Sequence, residues 1–228
     1  MVRARMRNNG PMSKQERRVP AGVWCVVALL VSGAIAVAGW YGWRVLDRRD
    51  AERATSETLT QVERLLAQQP EGNPRVEAEL PLPTEGDALW LLEIPRLDVR
   101  VPVLAGTDDD ALHRGVGWYP TTDLPGEAGN VAIAGRAHDG ARPFARIEQL
   151  RAGDEVVVTT RLHRYTYAVR VAPADLTVAA DASWVLDPVP GKDVDPHEAV
   201  LTLTADQDPV PTADRSVAFA VLTKEEQP

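Results

Sequence analysis

Residues 124–135 read LPGEAGNVAIAG, a Gly- and Pro-containing turn followed by an apolar run at 130–134. Short apolar runs bounded by Gly, Pro or Asp are typical of β-strands. Further runs rich in Val, Leu, Thr and Tyr follow the same pattern, at residues 89–94, 99–104, 155–160, 165–171, 199–204 and 217–222. Two short helices are expected, at 108–113 behind capping aspartates and at 144–150. Many short strands with few helices predict an all-β domain, either a small barrel or a sandwich.

The charge balance and the cysteine content exclude several kinds of function. The 228 residues carry 25 Lys and Arg against 33 Asp and Glu, a net charge of −8. Nucleic-acid binding needs a basic face, so nucleic acid is not expected as a partner. The single cysteine, Cys25, lies inside an apolar run, which rules out an intramolecular disulfide and a Cys-based metal site.

The N-terminal region has the pattern of a membrane anchor. Residues 21–43 carry no charged side chain, and such a stretch is long enough to cross a hydrocarbon core of about 30 Å. Aromatic residues flank it, and six basic residues precede it against one acid, which predicts a cytoplasmic N-terminus and an extracellular C-terminal domain. A cleaved signal peptide remains the alternative, because 34–36 and 36–38 are both small-x-small sites.

The organisation of the chain follows from these patterns. Residues 44–67 read as a polar helix with Leu59, Val62 and Leu66 on one face, and four prolines between 70 and 83 indicate an extended linker. A coiled-coil partner helix is the alternative for this helix. The predicted segments are a cytoplasmic basic tail (1–20), a transmembrane helix (21–43), a helical stalk with a Pro-rich linker (44–87), the β domain (88–224) and a short tail (225–228).

Six segments of the β domain resemble sortase segments in amino-acid sequence, order and spacing. They are LEIPRL with VPV (92–103), GVGWYP (115–120), LPGEAGNVAIAG (124–135), LRAGDEVVV (150–158), VLTLT (200–204) and DRSV (214–217). The group they resemble most is class E, from high-GC Gram-positive bacteria (actinobacteria), whose members share an N-terminal anchor and linker. The resemblance implies a closed sortase-like β-barrel of about eight strands.

The resemblance also implies a site, and this chain departs from it. Sortases use a Cys–His–Arg set, in which the thiolate attacks an amide and histidine protonates the leaving amine. Here Arg136 occupies the position of the histidine and Asp206 the position of the cysteine, and only the arginine, Arg215, is retained. A guanidinium stays protonated and an ionised carboxylate is a poor nucleophile toward an amide, so conventional transpeptidation is not expected. We hypothesise instead a salt bridge between Arg136 and Asp206, shared with Arg215.

Three functions remain open from the sequence. The first is a non-catalytic pseudo-sortase that binds a sorting-signal peptide or an envelope protein. The second is an active, divergent transpeptidase or hydrolase that attaches surface proteins to the cell wall, with His138 as a substitute acid or base beside Asp206 and Arg215. The third is an envelope scaffold. No cofactor is implied, and no His or acidic spacing suggests a metal site.

Overall fold

A computed structural model describes residues 21–68, 83–179, 181–191, 195–206 and 214–227. The chain divides into two compact units, Met1–Arg44 and Val45–Pro228. Helix α1 runs over 47 residues, Ala21–Ala67, so the predicted transmembrane and stalk helices form one continuous helix. In the described part of the chain, α1 alone has the length and apolar composition needed to cross a membrane.

The β domain is a closed barrel. Its strands are β1 (Ala88–Ile94), β2 (Val99–Ala105), β3 (Val116–Trp118), β4 (Gly129–Gly135), β5 (Glu155–Thr159), β6 (Arg164–Val171), β7 (Thr177–Ala179), β8 (Ala199–Asp206) and β9 (Asp214–Glu226), with helix α2 (Asp109–Arg114) after β2. Eight of them follow in the order β6-β5-β1-β2-β3-β4-β8-β9, and the pairing of β9 with β6 closes the ring. β7 pairs with β9 outside that ring. The predicted barrel of about eight strands is confirmed.

Side chains alternate between the barrel interior and its outside, as the two-residue period of a strand requires. The interior is aliphatic near the centre of the sheet, where three neighbouring strands contribute Val131 and Ile133 from β4, Leu201, Leu203 and Ala205 from β8, and Ala218 and Ala220 from β9. The residues between them therefore face outward. A second, smaller cluster packs on that outer side, with Val178, Val185, Val200, Val217 and Phe219.

Some predicted elements change in the structure. Asp108 caps α2 as expected, because its carboxylate accepts the Ala111 N–H at 2.8 Å. The helix expected at 144–150 is wrong: only a 3-10 turn at Ile147–Gln149 forms, and the Phe144 side chain is instead fully buried in the barrel core. β9 extends far beyond the predicted 217–222, since its polar end pairs with β6.

The second half of α1 packs against the β domain. Ala51, Thr58 and Val62 are buried at spacings of seven and four residues, which places them on one helix face. The Arg100 guanidinium at the start of β2 pairs with Glu63 of the same helix, and that contact raises the pKa of Arg100. The helical stalk is thus in contact with the domain, and the predicted Pro-rich linker lies mostly at 69–82, outside the described residues.

Candidate functional site

Three strand ends bring the predicted site positions to one corner of the barrel. β4 and β8 run parallel with Gly135 opposite Ala205, and β8 and β9 run antiparallel with Asp206 opposite Arg215. Arg136 directly follows β4. Because Ala205 and Ala137 belong to the interior cluster, Arg136 and Asp206 point outward. Arg136, Asp206 and Arg215 therefore share the outer side of the barrel, and we call this group the charged corner.

The Asp206 carboxylate is bound to the backbone. Its Oδ1 accepts the N–H of Ala137 at 2.7 Å, and Ala137 is only 5% exposed. A hydrogen bond from a backbone N–H to an ionised carboxylate is stronger than one to a neutral acceptor. Asp206 thereby ties the last residue of β8 to the chain just after β4.

Arg136 has a different partner from the one hypothesised. Its Nη2 contacts the Asp109 carboxylate of α2 at 2.6 Å, and among the described residues no ion pair within 4.0 Å joins Arg136 to Asp206. The hypothesis of a salt bridge between them is wrong in this structure. The reason is local: the short Asp206 side chain is satisfied by Ala137, while the long guanidinium reaches the first turn of α2.

Arg215 lacks an acidic partner in the described part of the chain. It is half-buried and lies directly across from Asp206 in the β8–β9 ladder, yet no carboxylate described in the structure lies within 4.0 Å of its guanidinium. Cross-strand neighbours are about 5 Å apart at Cβ, so such an ion pair is within reach. Asp206 instead turns toward β4, on the opposite side of β8.

His138 lies two residues beyond Arg136, half-buried in the loop that leads to Phe144. The residue between them, Ala137, is the one that binds Asp206. Across the described residues, no group of three or more His, Cys, Asp or Glu side chains is placed to hold a metal ion.

The outer face beside the charged corner is organised by buried polar contacts. Asn130 is fully buried and its Nδ2 donates to the carbonyls of Val185 and Asp187, at 2.9 and 3.0 Å. Its Oδ1 accepts the Thr202 hydroxyl at 2.7 Å. This network holds the 182–187 segment, which carries the half-exposed Trp184, against β4 and β8.

Thr204 completes this face. It lies two residues before Asp206 on β8, it is 2% exposed, and its hydroxyl has no hydrogen-bond partner among the described residues. A buried hydroxyl without a partner is uncommon, because it loses its hydrogen bond to water.

Sequence reasoning missed several of these residues. Asp109 was read as part of a helix cap, and no local signal indicates that α2 lies beside the end of β4. The Asn130–Thr202 hydrogen bond could be inferred from the alternation of the two strands, because Asn130 and Thr202 both lie at outward-facing positions. That inference requires knowing that β4 and β8 are neighbours, although 72 positions separate the two residues.

Comparisons with known proteins agree with this architecture. A family model described as "Sortase domain" matches residues 92–223. Sortase SrtE1 of Streptomyces coelicolor is 38% identical over 112 residues, which cover 46% of this chain and 31% of that protein. The chain thus spans about a third of that relative.

Two solved structures are similar to the barrel. Sortase E from Streptomyces avermitilis shares 32% identity with a TM-score of 0.58, covering 63% of this chain and 93% of that chain. Sortase E1 from Streptomyces coelicolor, solved with a tripeptide in the active site, shares 28% identity with a TM-score of 0.56, covering 62% and 91%. The family model covers more than half of the chain, so this protein belongs to the sortase family and is similar to its class E members.

Proposed function

We propose that this chain is a membrane-anchored, extracytoplasmic pseudo-sortase, which binds a peptide or a partner protein at the cell envelope without cleaving it. The observation that carries the proposal is the state of Asp206. This residue stands where the resemblance places the nucleophilic cysteine, and its carboxylate accepts the Ala137 N–H at 2.7 Å. An aspartate supplies no thiolate, and a carboxylate that is held in place by a backbone hydrogen bond is a poor nucleophile toward an amide.

The residue at the histidine position supports the same proposal. Arg136 has a guanidinium that stays protonated at any accessible pH, so it neither takes nor gives the proton that amide cleavage needs. Its contact with Asp109 also points it toward α2. Two of the three chemical roles in the family are therefore unfilled at the charged corner.

The scaffold around the charged corner supports binding rather than loss of all function. The Asn130–Thr202 network and the apolar cluster beside it hold the outer face together. The related sortase E1 from Streptomyces coelicolor holds a tripeptide in its active site. A peptide is accordingly the ligand class that we assign to this face.

The location is part of the proposal. The uncharged start of α1, with basic residues before it, supports a retained single-pass anchor with a cytoplasmic N-terminus and an extracellular β domain. In that arrangement the β domain lies in the cell envelope, where sorting signals and surface proteins are found.

The test uses the full chain in lipid nanodiscs, a panel of sorting-signal peptides and an amine acceptor. Calorimetry measures binding and mass spectrometry measures cleavage. We expect binding without cleavage. The matched variant is the double substitution Arg136→His with Asp206→Cys, which returns an imidazole and a thiol and tests whether the scaffold supports turnover once those groups are restored.

Two outcomes would contradict the proposal. Cleavage by the unmodified chain that Asp206→Asn abolishes would make this protein an active, divergent enzyme. Absence of binding to every peptide of the panel would favour a scaffold.

A further inference from the structure

The charged corner holds two arginines and one aspartate. Arg136 and Arg215 lie on either side of Asp206 along three neighbouring strand ends. Strands are spaced by about 4.8 Å, so the two arginine backbones lie roughly 10 Å apart across the corner. A second carboxylate, Asp109 of α2, contacts the corner from outside through its ion pair with Arg136.

Neither arginine forms an ion pair with Asp206 in the described structure. The Asp206 carboxylate accepts the Ala137 N–H, and no carboxylate of the described residues contacts the Arg215 guanidinium. Arg136 pairs with Asp109, whose side chain is 100% exposed. Such surface ion pairs contribute little to folding stability, so a ligand can displace Asp109 from Arg136 at a small cost in free energy.

The chemistry of arginine indicates what can carry a negative charge here. The planar fork of arginine matches the two oxygens of a carboxylate. A peptide, the ligand class assigned to this face, carries such a carboxylate at its C-terminus.

We propose that the charged corner binds the free C-terminal carboxylate of a peptide, with Arg215 as its main ligand and Arg136 as the second. This inference rests on the proposed peptide-binding function and deepens it. The position at which the resemblance places amide cleavage would then recognise a chain that already ends in an acid.

The experiment compares two tripeptide libraries on the full chain in lipid nanodiscs. Both are N-acetylated and built from Ala, Leu, Pro and Thr, one with a free C-terminal carboxylate and one with a C-terminal amide. We expect the acids to bind about tenfold more tightly than the matching amides, because a charge-assisted bidentate contact is lost in the amide.

Variants assign that preference to the charged corner. Arg215→Gln should remove the acid-over-amide ratio, Arg136→Gln should reduce it, and Asp109→Asn should preserve or raise it. Arg170→Gln is the matched control. Arg170 of β6 pairs with Glu198, which directly precedes β8 and so lies at the opposite end of that strand from Asp206.

Each contrary result is informative. Equal affinity for acids and amides would overturn the carboxylate inference and leave peptide binding intact. No binding of either library would overturn both. An acid preference that survives Arg215→Gln would place the carboxylate elsewhere and also overturn the inference.

Discussion

Replacing Asp206 by alanine should destabilise the β domain measurably. The substitution removes the acceptor of the Ala137 N–H, a contact of 2.7 Å at a residue only 5% exposed. The Ala137 N–H then loses its acceptor, and an unsatisfied buried donor costs about 1–3 kcal/mol. For a unit of this size, about 2 kcal/mol lowers the melting temperature by about 4–8 °C.

The assay is urea denaturation of the full chain in nanodiscs, followed by tryptophan fluorescence and repeated as a thermal melt. The matched control is Asp109→Ala, which also removes one acid from the same corner. Its ion pair with Arg136 is solvent-exposed, so its loss should cost between about 0 and 1 kcal/mol. Asp206→Asn should fall between the two, since an amide oxygen still accepts the N–H but without the charge.

Equal stability of Asp206→Ala and Asp109→Ala would refute the reasoning. It would mean that Asp206 is not fastened to the chain after β4. A structural role for Asp206 in place of a nucleophile would then lose its support.

Three further substitutions test other parts of the structure. Burial raises the pKa of Tyr167, so the contribution of its neutral phenol to folding stability is complete below about pH 10 and is lost as the pH rises above that. Tyr167→Phe should therefore shift the midpoint of alkaline unfolding, followed by fluorescence, to higher pH. An unchanged midpoint would contradict this. Gly135→Ala should cost about 1–3 kcal/mol in urea denaturation, because the new Cβ would lie 2.4 Å from the Phe144 ring, and a neutral effect would mean that the ring moves freely. Ala51→Arg, at a fully buried site on α1, should open residues 45–67 to limited proteolysis, whereas Ala67→Arg at an exposed site should not; identical digestion patterns would argue against packing of this helix on the domain.

Sequence patterns predicted the long strands and missed the short ones. Runs such as 199–204 have enough apolar residues to define a period, and the structure places them in β8. β3 and β7 have three residues each, which is too few to show an alternation of apolar and polar residues. The resemblance to sortases supplied what periodicity could not, since it distinguished a closed barrel from a sandwich.

The charged corner was predicted in its composition and not in its contacts. The sortase-like segments next to them identified Arg136, Asp206 and Arg215, and the strand register brings these residues together. Which partner each one takes depends on distances that a sequence does not contain. The position of α2 decides the contact of Arg136, and the bend of the chain at Ala137 decides that of Asp206.

The contacts of Asp206 change the meaning of its substitution. An Arg136–Asp206 ion pair would hold both side chains in a contact within the corner. The observed arrangement instead fastens Asp206 to the backbone, turns Arg136 to the exposed Asp109, and leaves Arg215 without an acid among the described residues. Both arginines can therefore turn to a ligand without breaking a buried ion pair. Their position beside an ordered outer face is the physical reason to look for an anionic ligand here, and the acid-over-amide comparison measures it directly.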